Sequence, residues 1–168
     1  AAYGAGLLIG GPLGLFAARG AQRSRQYSEG QARAISWGGV FGTWQGLGWA
    51  ELLDLGSEDC IPDVPCNGDD SSAEAVLGAM VVGGLAGITT GAIIASRPVR
   101  SGVSSAAQGG SIWGTLYGAA IAGMIEPDDG DAVLLTSLLA GNAGLIGGAL
   151  AGRKYGLTRP RVRWINLG

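Results

Sequence analysis

Among its 168 residues the chain has no histidine, only two cysteines, and charged side chains at just 14% of positions. The missing histidine removes the usual general base, the usual zinc and haem ligand, and the commonest ligand for a chlorophyll magnesium. A hydrolase-like Gly-x-Ser-x-Gly is absent, and glycine runs such as Gly83-Gly84-Leu85-Ala86-Gly87 lack the Lys-Ser/Thr that follows in a phosphate-binding loop. No catalytic residue, cofactor or metal ligand is expected, and the chain reads as something other than an enzyme. The shortage of charge matters as much. A soluble domain carries about a quarter charged residues, so this chain has too little polar surface to cover a water-facing exterior.

What is abundant is apolar and small: 47% hydrophobic residues and 33 glycines. The few charges are sorted along the chain. All basic residues fall in three clusters: Arg19, Arg23, Arg25 and Arg33, then Arg97 and Arg100, then Arg153, Lys154, Arg159, Arg161 and Arg163. The acidic residues lie between those clusters, from Glu51 to Glu74 and again at Glu126, Asp128, Asp129 and Asp131, with Glu29 the exception on a basic side. Stretches of roughly twenty uncharged residues separate the clusters, the length a helix needs to cross about 30 Å of hydrocarbon. The expected fold is therefore an all-α membrane protein of about five transmembrane helices, near 3–18, 34–53, 75–96, 105–125 and 132–152. The bias of Lys and Arg toward the cytoplasm orients it, with the N-terminus and loops 54–74 and 126–131 outside and the C-terminus inside, in a bacterial inner membrane.

Small residues recur every fourth position in each segment. They are Gly6, Gly10, Gly14 and Ala18; Gly38, Gly42, Gly46 and Ala50; Gly83, Gly87, Gly91 and Ala95; Gly110, Gly114, Gly118 and Ala122; and Ala140, Gly144, Gly148 and Gly152. Positions four apart share a helix face, so each segment offers a strip of bare backbone. In lipid, close approach of such strips supplies the dispersion contacts that hold helices together. The pattern resembles the glycine zipper, a packing device of many unrelated membrane proteins that implies no activity.

The segments also repeat. An offset of 72 carries Gly38, Gly42, Thr43 and Gly46 to Gly110, Gly114, Thr115 and Gly118, and an offset of 58 carries Gly83 to Gly141 and Gly110 to Gly168. Helical hairpins repeated roughly 2.5 times account for this, dividing the chain at 1–56, 71–127 and 128–168, with an acidic loop inserted at 57–70. By the same register Arg161 to Gly168 matches Gln31 to Gly38, and the chain reads as a piece of a longer protein. The inserted loop holds Cys60 and Cys66, close enough for a disulfide on the oxidising side. Metal binding there would want closer spacing and further ligands, and Asp63, Asp69 and Asp70 read as solvated loop charges.

Within the spans, Gln45, Thr89, Thr90 and Asn142 are polar, and hydrogen bonding between helices is their expected role. Trp37 and Trp49 are placed as interface anchors, Trp44 as packed between helices, and a pigment or quinone slot among the aromatics is the weaker reading. The expected function is a structural or assembly subunit of a membrane complex, its partners the bilayer and other copies or subunits and not nucleic acid. The alternatives are a channel or pore component and, more weakly, an outer-membrane β-barrel. For the barrel, large and small residues alternate from Arg33 to Trp49 as on a barrel strand.

Overall fold

The computed structural model describes residues 26–55, 71–125 and 129–167. These form α1 (Glu29–Leu52), α2 (Ser71–Ala95), α3 (Ser101–Ile125), α4 (Gly130–Lys154) and the short α5 (Arg159–Leu167). The described residues contain no strand, which overturns the β-barrel alternative. The alternation from Arg33 to Trp49 lies on α1, where glycines of the four-residue spacing fall between the aromatics. The segment at 3–18 and the pair Cys60 and Cys66 lie outside the described residues.

The helices begin earlier than their charge-free stretches, because capping chemistry fixes a helix end and hydropathy does not. α1 starts at a capping box in which the Ser28 hydroxyl accepts from the Gln31 backbone N–H at 3.3 Å while the Gln31 side chain accepts from the Ser28 N–H at 2.8 Å. The Asp129 carboxylate caps α4 by accepting from the Ala132 N–H at 2.9 Å. The ends of α1 and α4 share one closing motif: a residue of positive φ, Asp54 (50°) or Gly156 (57°), followed by an N–H reaching back to a carbonyl of the last turn, Leu55 to Ala50 and Leu157 to Gly152.

The tight antiparallel pairs are α1 with α2 and α3 with α4, and each is joined through an acidic connection. α1 and α3 run parallel and link the pairs, α4 also touches α1, and α5 lies on α3. Among the described helices α2 packs on α1 alone. The starts of α1, α3 and α5 at residues 29, 101 and 159 stand at the offsets of 72 and 58 seen in the sequence.

This arrangement gathers the charges. The N-termini of α1, α3 and α5 and the C-termini of α2 and α4 share one end, where the Gln31 amide donates to the Ala95 carbonyl at 2.7 Å and Gly30 lies against the Val99–Ser101 backbone. That end carries Arg33, Arg97, Arg100, Arg153 and the arginines of α5, whereas Glu51, Glu74, Asp129 and Asp131 lie at the other. Glu29, the acidic exception, accepts from Arg33 at 3.3 Å and from Arg159, so it joins α1 to α5 amid the basic cluster.

Among the described residues, two helices are long and apolar enough to cross a membrane, over Ala73–Ala95 and Gly130–Lys154. Apolar side chains are arranged with the bulky ones outward. The buried apolar residues are Ala50, Ala95, Ala106, Ala122, Leu138 and Val162, whereas Val82 and Ile93 of α2 are each 67% exposed.

Candidate functional site

Within each tight pair the small residues face one another. On α1, Gly38, Gly42 and Gly46 lie against the backbone of Gly87, Gly83 and Ala79, and Gly91 of α2 lies against Ala34. A Cβ placed on Gly42 would sit 3.0 Å from the Gly87 Cα, and one on Gly87 would sit 2.7 Å from the Gly38 carbonyl carbon. Real Cβ atoms do not come so close to backbone, so a side chain of any size at these positions requires the helices to move apart. The second pair repeats this: Gly110, Gly114 and Gly118 of α3 meet Gly144, Ala140 and Thr136 of α4, and Gly148 and Gly152 meet Ala106 and Val103. Some helical glycines off these strips face open space. A Cβ at Gly78 or Gly147 meets nothing within 4 Å.

The two pairs correspond contact by contact. Gly38 on Gly87 becomes Gly110 on Gly144, an offset of 72 on one side and 57 on the other. The sequence offset of 58 instead holds at the connections, where the contact of Gly30 with Val99 becomes that of Gly102 with Leu157. One extra residue between Gly148 and Leu157, a stretch that includes the positive-φ Gly156, reconciles the two values. Two further matching contacts escaped the four-residue pattern. Gly84 faces the Thr43 hydroxyl and Gly141 faces that of Thr115, each hydroxyl donating to a carbonyl of its own helix, Gly39 or Ser111, at 3.0 and 2.9 Å. The offset that relates Thr43 to Thr115 was the available signal for them.

Between the pairs the contact is of another kind. The Trp37 indole N–H donates to the Ser111 hydroxyl at 3.0 Å, and Arg33 donates to the Gln108 side-chain oxygen at 3.1 Å, both from α1 to α3. Beyond them Trp37, Phe41 and Trp44 face Ser111, Thr115 and Leu116 across an apolar cleft of about 260 Å³. Trp44 is thus packed between helices, with its buried indole N–H unpartnered, and Trp37 bonds across an interface where an outward anchor was expected. Ser111 and Gln108 had no feature to mark them in the sequence, since a single serine or glutamine within a helix is ordinary.

The polar residues of the spans divide. Thr89 and Thr90 are exposed on α2 and donate to the carbonyls of Leu85 and Ala86, both at 2.8 Å. Asn142 donates to the Leu138 carbonyl of its own helix at 2.8 Å, which corrects the expectation that it reaches a neighbour. Gln45 makes that reach, donating from α1 to the same Leu138 carbonyl at 3.5 Å. Two amides from different helices therefore converge on one backbone oxygen, above a Leu138 side chain that is fully buried against Gly48. These groups can hold helices in register, and they make no constellation of nucleophile, base and acid.

No family model, curated protein or solved structure matches the chain.

Proposed function

We propose that the chain is a multi-pass integral membrane subunit, without catalytic activity, that serves assembly: its helices pack as glycine zippers and hold it within a larger membrane complex, with other copies or other subunits. The observation that carries this reading is the inverted distribution of side-chain size. Large apolar residues such as Val82, Leu85, Ile93, Leu116 and Ile146 are more than half exposed, while the interfaces within the two tight pairs are made chiefly of glycine and alanine. In water such contiguous apolar surface invites aggregation, whereas in lipid it is solvated and small residues supply the helix contacts.

On this reading α1 and α3 cross the membrane beside α2 and α4, the segment 3–18 adds a fifth span, and the hairpin repeat extends the same packing along the chain. The gathered arginines orient the basic end to the cytoplasm of a bacterial inner membrane, leaving the N-terminus and the acidic connections outside. Gln45 and Asn142, turned to a shared carbonyl, favour assembly over a water-filled pore.

The test uses the full chain expressed in cells. After a carbonate wash it should remain with the membrane, and in mild detergent it should run as a defined complex. In a background with Cys60 and Cys66 replaced by serine, a cysteine at the exposed Asp131 should react with an impermeant thiol reagent in intact cells and one at the exposed Ser96 should not. Equal labelling of both sites would overturn the orientation, and a carbonate-soluble chain would overturn the membrane reading.

A further inference from the structure

α2 and α3 follow one another in the chain yet do not pack together among the described residues, because α2 gives its glycine face to α1 and α3 gives its own to α4. The connection 96–100 holds them at one end, and a cavity of about 910 Å³ lies there between them. Its walls are apolar, with Ile93 and Ile94 from α2 and Val103 from α3. Its rim is cationic, with Arg97 and Arg100 from the connection and Arg153 from the end of α4. All three arginines are exposed. Among the described residues their guanidinium groups have no carboxylate partner, the ion pairs nearby being those of Glu29 with Arg33 and Arg159.

We infer that this cavity is a binding site for one anionic phospholipid, whose phosphate is held by Arg97, Arg100 and Arg153 and whose acyl chains lie along Ile93, Ile94 and Val103. The inference rests on the membrane reading above and goes beyond it by naming a ligand class and a site. Charge and level both fit. The apolar span of α2 ends at Ala95 and that of α4 at Lys154, so the three guanidinium groups stand where hydrocarbon gives way to headgroups, and a basic pocket between helices at that depth selects anionic headgroups. Arginine suits the task because its planar fork donates to two phosphate oxygens at once. The apolar walls distinguish the ligand from a free anion, which would make no use of Ile93 and Ile94. A bound lipid also closes the gap that the two glycine interfaces leave between consecutive helices.

The experiment takes the full chain, stripped of lipid in mild detergent, mixes it with phosphatidylglycerol or phosphatidylcholine, and counts retained lipid by native mass spectrometry. Wild type should retain one phosphatidylglycerol with roughly tenfold preference over phosphatidylcholine. The variant R97Q/R100Q/R153Q should lose that preference, while K154Q/R161Q/R163Q, which removes as many charges from the same end, should keep it. Equal loss in both variants would reduce the effect to surface potential and overturn the site. Displacement of the lipid by excess inorganic phosphate would show that the apolar walls contribute nothing and would overturn the lipid assignment. Absence of any preference, in a chain that still resists carbonate, overturns the inference and leaves the membrane reading standing; release by carbonate overturns both.

Discussion

Helices in this protein meet in two ways. Within the pairs α1–α2 and α3–α4 the contact is backbone on backbone through glycines, whereas between the pairs α1 and α3 meet through Trp37, Arg33, Gln108 and Ser111. The glycine interfaces are closed along their length. The side-chain interface is held by hydrogen bonds and leaves the cleft beside Phe41 and Trp44 unfilled. A strip without side chains can approach evenly along several turns, because nothing of uneven size intervenes. Bulky side chains fill space unevenly, and there polar bonds determine where the helices touch. The difference separates strength of packing from choice of register, and substitution can measure each.

The largest expected effect lies in the glycine interfaces. Gly87→Leu or Gly114→Leu forces apart backbones that already limit the approach, and each should destabilise the folded chain in detergent by about 3 kcal/mol or more, on the scale of overpacking a closed interior. Alanine at these positions should also be harmful, since the first carbon alone would lie 2.7 Å from the Gly38 carbonyl carbon or 3.0 Å from that of Ala140. Gly147→Leu on the open face of α4 should be neutral in the same thermal-unfolding assay. If Gly147→Leu and Gly87→Leu behave alike, glycine is present for composition and not for contact.

The second effect is smaller and belongs to the other interface. Trp37→Phe and Ser111→Ala each remove the same hydrogen bond, so a double-mutant cycle should return a coupling of about 1 kcal/mol, near the upper end for hydrogen bonds between membrane helices. Trp37→Phe should leave the pairs themselves intact, readable as unchanged cross-linking between cysteines placed on α3 and α4. A coupling near zero would mean that the fit of the rings alone sets the α1–α3 contact.

How much of this was legible in the sequence follows the same division. Four-residue spacing is a property of single helices, so the strips at Gly38–Gly46 and Gly144–Gly152 could be read directly, as could the alternation of charge that now separates the two ends of the helices. Which strip faces which is a tertiary fact. It brought α1 against α2 across the long acidic connection, and left α2 and α3 apart at the short basic one. The one-residue difference between the offsets of 57 and 58 was hidden because Gly83 can be matched to Gly141 or to Ala140, both small. The place of Trp37 near a span end predicts an anchor, but its partner Ser111 is 74 residues away, and no local pattern encodes that pairing. Helix ends differ from expectation for a local reason: the edge of uncharged sequence marks where hydrocarbon can begin, whereas Ser28 with Gln31 starts α1 inside polar sequence.

The smallest expected effect tests whether the amide layer belongs to either interface. Asn142→Leu removes a donor whose acceptor, the Leu138 carbonyl, lies on its own helix, so the bond contributes nothing to holding α4 against a neighbour. Gln45→Leu removes a bond that does cross from α1 to α4, but at 3.5 Å it is at the limit of useful geometry. In both variants the Leu138 carbonyl keeps its place in the backbone ladder of α4, accepting from the N–H four residues on, so no buried oxygen is orphaned. Each substitution should therefore change unfolding stability by about 0.5 kcal/mol or less, with Gln45→Leu the larger because it alone loosens a contact between helices. The measurement is a denaturation midpoint in one detergent for wild type, both single variants and the double. A loss from Asn142→Leu that rivals Gly87→Leu would mean that the amide bonds across helices in the assembled protein, and the division of labour between glycine faces and side-chain bonds would have to be abandoned.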